Sequence, residues 1–89
     1  MSEITGESVL ARINLKVYNY RQFFGRDVNV LYLGREEYRA VVDMIQTGRH
    51  PAKAVTFRGR RRIEIAWMAV VQVAPKRWCE VGYVDEGEE

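Results

Sequence analysis

Arg58-Gly59-Arg60-Arg61-Arg62 gathers four guanidinium groups around one glycine. A guanidinium is planar, always charged, and forks onto the paired oxygens of phosphates and carboxylates. Such a cluster is either a site for an anionic partner or a solvated hairpin arm whose charges guard a sheet edge. A second group, Arg12, Lys16, Tyr18 and Tyr20, joins basic and aromatic side chains. Those are the ingredients of a platform on which nucleic-acid bases stack, or of an ordinary wet sheet face. These eight residues are the candidate anion- or partner-binding positions.

Catalytic chemistry finds little to work with. His50 and Cys79 are the only residues of their kinds. A nucleophilic pair would need them adjacent in space. His50 precedes a proline in a turn, and Cys79 falls at an inward strand position, so a loop histidine and a buried apolar thiol are expected. Zinc lacks a ligand set. Glu36 and Glu37 are helix neighbours that diverge by about 100°, so they read as capping and solvated acids, not as a paired acid and base. The glycines form no phosphate loop. The sequence therefore predicts no enzyme, no cofactor and no metal.

The elements that position these residues follow from periodicity. The stretch 56–73, TFRGRRRIEIAWMAVVQV, is the longest apolar-rich run and carries the densest charge. Pairing Phe57 with Ile63 and Val55 with Ile65 puts both apolar pairs on one side of a hairpin. That register predicts a three-residue Gly59-Arg60-Arg61 loop, with Arg58 opposite Arg62. Beyond Trp67 both residue phases turn apolar, which predicts a bend into a further strand. Residues 9–17 alternate, with Val9, Ala11, Ile13, Leu15 and Val17 on one side. The alternation predicts a half-buried strand, with Phe23 and Phe24 folded back over the core. Residues 28–33 read as a short strand ended by Gly34.

Next, Tyr38, Val41, Val42 and Ile45 follow helical spacing, Glu36 and Glu37 suit a first turn, and Gly48 suits the end. A helix over 35–47 results, expected to pack on Ile13, Leu15, Phe57, Ile63 and Ile65. A last strand over 77–84 turns Cys79, Val81 and Tyr83 inward. The fold class is α+β: a single amphipathic helix on a mostly antiparallel sheet of about five strands.

At 89 residues the chain suits one domain, with residues 9–84 as the folded part, a polar N-terminus 1–8 and an acidic tail 85–89. All 14 Lys and Arg lie within residues 9–84 against six acids, so that part is +8 while the two ends together hold −6. A basic body favours contact with anionic surfaces. One cysteine points to a reducing cytoplasm, and no apolar run is long enough to span a membrane.

The run LYLGREEYRAVVDMI followed by VTFRGRRRIEIAWMAVVQV resembles the strand–helix–hairpin layout of small uncharacterised proteins encoded by tailed phages and prophages. It covers about residues 28–73. The matching features are the strand ending in Gly34, the Glu36-Glu37-Tyr38 helix start and the Phe57-Arg58-Gly59 hairpin opening. The chain departs from that layout where Arg60-Arg61-Arg62 replaces the usual apolar pair after the glycine. The resemblance implies a virion accessory or assembly protein, or a host-takeover factor, in the host cytoplasm or the virion. The leading functional expectation is a non-enzymatic protein-interaction module that binds a protein partner or self-assembles. The alternative is a nucleic-acid-binding module using the arginine hairpin.

Overall fold

A computed structural model describes residues 4–85. The elements are α1 (Gly6–Phe24), β1 (Val30–Leu33), α2 (Arg35–Gln46), β2 (Ala54–Phe57), β3 (Arg60–Ile65), β4 (Met68–Gln72) and β5 (Cys79–Gly82). The strands form one sheet in the order β2-β3-β4-β1-β5. β1 runs parallel to β4, and the other three pairings are antiparallel. The fold is α+β with a mostly antiparallel five-stranded sheet, and it carries two helices where the sequence predicts one. Within the described residues no helix is long and apolar enough to cross a membrane.

The added helix is α1, and it replaces the strand expected at residues 9–17. Val9, Ile13 and Val17 recur every four residues and are buried, which suits a helix face as well as an alternating strand. Leu10 and Tyr20 pack against the same core from even positions, as a helix allows. Ser8 N–H donates to Thr5 Oγ1 at 3.1 Å and Thr5 N–H to Ser8 Oγ at 3.2 Å, a reciprocal cap that starts the helix within the N-terminus expected to be merely polar. Gly25, at φ 69°, ends it. Phe23 and Phe24 lie on its last turn, 81% and 58% exposed, with their rings edge to face against each other rather than over the core.

α2 starts and ends where its signals place it, with Gly34 at the N-cap and Thr47 at the C-cap. Val41 and Met44 are its deepest apolar residues, and Tyr38 and Ile45 pack beside them. β5 carries Cys79 inward, but Tyr83 lies past its end, half exposed under Arg26 at 4.6 Å.

The hairpin register also differs from expectation. Phe57 pairs with Arg60, Val55 with Arg62 and Ala54 with Ile63, so the loop is Arg58-Gly59. Both loop residues have positive φ, 52° and 80°, the handedness that matches strand twist in two-residue hairpins. Arg60 and Arg61 therefore lie in the strand rather than at the tip, and Arg62 sits on the face of Val55 and Phe57 rather than opposite Arg58. The chain does bend at Trp67: Ile65 pairs with Met68 across an Ala66-Trp67 turn, and Trp67 Nε1 donates to Val28 O at 2.8 Å.

The sheet has two unlike faces. Leu31, Leu33, Ile65, Met68, Val70 and Cys79 join α1 and α2 in the main core. Val30, Phe57 and Ala69 form a second cluster with Tyr32, Val55, Val71 and Val84 packed against it. Phe57 thus lies on the face away from the helices, and Leu15 is 60% exposed on the outside of α1. Neither belongs to the core cluster in which α2 packs, contrary to expectation.

The start of α2 is closed by the segment before β5. Arg35 N–H donates to Pro75 O at 3.1 Å and Glu36 N–H to Lys76 O at 3.0 Å, while Gly34 N–H reaches Trp78 O at 2.9 Å. These are helix-start donors that would otherwise lack partners. A Cβ on Gly34 would sit 2.6 Å from Trp78 N and 2.8 Å from Pro75 O, both backbone atoms. Gly34→Ala is expected to push this segment off the helix start and cost about 1–3 kcal/mol, read from urea unfolding. Unchanged stability would show that the segment yields freely.

Candidate partner interface on the basic hairpin arm

β2 and β3 form an arm at one edge of the sheet. Lys53, Arg58, Arg60, Arg61 and Arg62 stand on it against one acid, Glu64. Strand alternation divides the cations. Arg60 and Arg62 pair with Phe57 and Val55 and share the face away from the helices. Arg61 pairs with Thr56 and faces the α2 side.

On the open face, Tyr32, Phe57, Val71 and Val84 floor a cleft of about 470 Å³ that Arg58, Arg60 and Arg62 border. Val84 is pinned there by Asn29, whose Nδ2 donates to Val84 O at 2.7 Å while Oδ1 accepts from Val84 N–H at 2.9 Å. On the other face, a groove of about 420 Å³ runs between α2 and the arm. Val42, Ile45, Ala54 and Ile63 supply apolar walls, and Lys53 and Arg61 supply charge. Arg60, Arg61 and Arg62 form no ion pair with another described residue. Arg62 Nε is shut off from solvent and has no hydrogen-bond partner among the described residues.

The second predicted group does not join this arm. It lies on α1, which packs over β5 at the far edge of the sheet. Arg12 Nη1 lies 3.5 Å from Glu37 Oε2, and Lys16 Nζ donates to Glu80 at 3.0 Å. Tyr18 is exposed, while Tyr20 packs on the core and against Phe24, 4.4 Å between ring centres. A helix turns these positions to different sides, so no four-residue platform forms.

Tyr32, Val71, Asn29 and Val84 carry no signal in the sequence that marks them for this site. The parallel β1–β4 pairing and the turn of the chain after β5 bring them to the arm, and both are non-local.

The chemically reactive residues stand apart. His50 lies in the α2–β2 connection with Nδ1 3.1 Å from Pro51 O. Cys79 is buried in the main core, and burial pushes its thiol pKa up, away from the reactive thiolate. The described residues contain no group of three His, Cys, Asp or Glu that could hold a metal. Glu37 is fully buried, but its carboxylate is engaged by Arg77 Nε at 3.1 Å and Trp78 N–H at 3.1 Å in the segment that closes α2. Set against protein families, curated proteins and solved structures, the chain matches none.

Proposed function

We propose that this protein is a non-enzymatic protein-interaction module, and that its basic β2–β3 arm receives an acidic segment of a partner protein. The observation that carries this reading is the union of apolar floors with Arg60, Arg61 and Arg62, which form no ion pair with another described residue, on the two faces of one arm. An apolar floor favours a partner with side chains to bury, and the arginines favour carboxylates. Phe57 is only 5% exposed, so it offers no free ring for a base to stack on. That weighs the arm toward protein and away from single-stranded nucleic acid.

Fluorescence anisotropy tests the reading. One probe is a labelled peptide of alternating valine and glutamate, and the other a labelled single-stranded RNA, both at low and physiological salt. The peptide is expected to bind more tightly than the RNA. Arg60→Glu with Arg62→Glu is expected to weaken peptide binding by about tenfold or more, because repulsion replaces attraction on the open face. Absence of peptide binding, or a preference for RNA, would overturn the reading.

A further inference from the structure

The free edge of β2 carries a more specific mode of contact, which rests on the protein-binding reading above. Phe57 and Arg60 close a two-residue hairpin, so they are a hydrogen-bonded pair. Antiparallel ladders alternate bonded and non-bonded pairs, which makes Val55 and Arg62 the next bonded pair. Glu64 N–H donating to Lys53 O at 3.0 Å continues that phase. Ala54 and Thr56 must then direct their N–H and C=O groups outward, away from β3. β2 ends the sheet, and no described residue pairs with these groups. Both residues are exposed.

We propose that β2 accepts an additional strand from an acidic partner protein, bound by main-chain hydrogen bonds to Ala54 and Thr56. The groove under α2 adjoins this edge, since Ala54 itself lines it. Side chains on one face of the incoming strand enter that groove, where Val42, Ile45 and Ile63 meet apolar groups. Carboxylates at its mouth meet Lys53 and Arg61, and those on the other face meet Arg60 and Arg62. This is strand addition: backbone bonds hold the segment and alternate side chains select it. The charge chooses the occupant. A second copy of this chain laid along β2 would bring together two arms that each carry Lys53, Arg60, Arg61 and Arg62, and like charge concentrated on both sides repels. An acidic strand has the opposite sign.

The test uses the full chain and the alternating valine–glutamate peptide in three forms. One is unmodified, and the other two carry N-methyl groups at every second residue, in either frame. Methylation removes the amide donor and leaves the charges in place. One frame is expected to weaken binding by about tenfold or more and the other to leave it near the parent value. Amide exchange at Ala54 and Thr56, followed by NMR, is expected to slow when the unmodified peptide binds. If the unmodified peptide binds and both methylated frames bind equally well, strand addition is wrong while the protein-binding reading stands. Binding without added protection at Ala54 and Thr56 likewise rules out strand addition alone. If the unmodified peptide does not bind, the protein-binding reading itself fails.

Discussion

Ile13→Asp is expected to abolish folding, and Leu15→Asp to leave it intact. Ile13 is 1% exposed between Val9 and Val17, on the face of α1 that packs into the main core. Aspartate there removes a buried branched side chain and inserts a carboxylate for which that apolar face provides no partner. The combined loss is about 5 kcal/mol or more, comparable to the whole stability of a small domain. Leu15 is 60% exposed, and its replacement exchanges one solvated side chain for another. The contrast discriminates between secondary structures. In a strand the two residues would share a face, so both substitutions would disrupt the core. In a helix they lie about 200° apart. Thermal unfolding followed by circular dichroism reads the outcome. Equal damage from both substitutions would restore the strand, and a stable Ile13→Asp variant would remove α1 from the core.

The same arithmetic explains why α1 reads as a strand in the sequence while α2 reads as the helix it is. A spacing of four divides by two, so Val9, Ile13 and Val17 satisfy the strand period and the helix period together. The tie is broken by Leu10 and Tyr20, which only a helix brings to the same side, and by the Thr5–Ser8 cap. In α2 the apolar positions include spacings of three, which no strand face accommodates, and Gly34 and the first-turn acids fix its start. The hairpin is legible as a hairpin, and its charge as a feature of one arm. Its register is not, because the two-residue loop holds Arg58 at φ 52°, a conformation that a non-glycine residue rarely adopts. That single step moves Phe57 to the open face and divides Arg61 from Arg60 and Arg62. The groove under α2 depends on how far the arm overhangs the helix, and the open cleft depends on β1 lying beside β4. Those placements are non-local, and residue spacing along the chain does not encode them. The acidic end expected at 85–89 lies outside the described residues from position 86 onward.

Glu37→Gln is expected to lower stability by roughly 2–4 kcal/mol near neutral pH. Glu37 is completely buried, yet its oxygens are occupied: Oε1 accepts from Trp78 N–H, and Oε2 from Arg77 Nε, with Arg12 at 3.5 Å. Glutamine keeps the volume but brings an amide NH₂, a donor, toward groups that are themselves donors. One contact must then be lost inside the protein, where an unsatisfied partner is expensive. The segment closing α2 hangs on these contacts, so exchange at Trp78 N–H should quicken in the variant. The dependence on pH carries the charge argument. Burial alone would raise the Glu37 pKa. The Trp78 N–H bond and the Arg77 guanidinium outweigh burial and hold the pKa below its ordinary value of 4.5. A depressed folded-state pKa gives stability that is fully present above the unfolded value and is lost as pH falls through the folded one. The wild-type protein therefore loses this contribution as pH drops below about 4.5, and the glutamine variant has none to lose. The gap between the two proteins should be widest near neutrality and should narrow steadily in acid. Urea unfolding of both across that range measures it, and the other carboxylates cancel in the difference. A gap that stays constant with pH would mean that Glu37 acts only through its shape, and that its charge contributes nothing to holding the segment against α2.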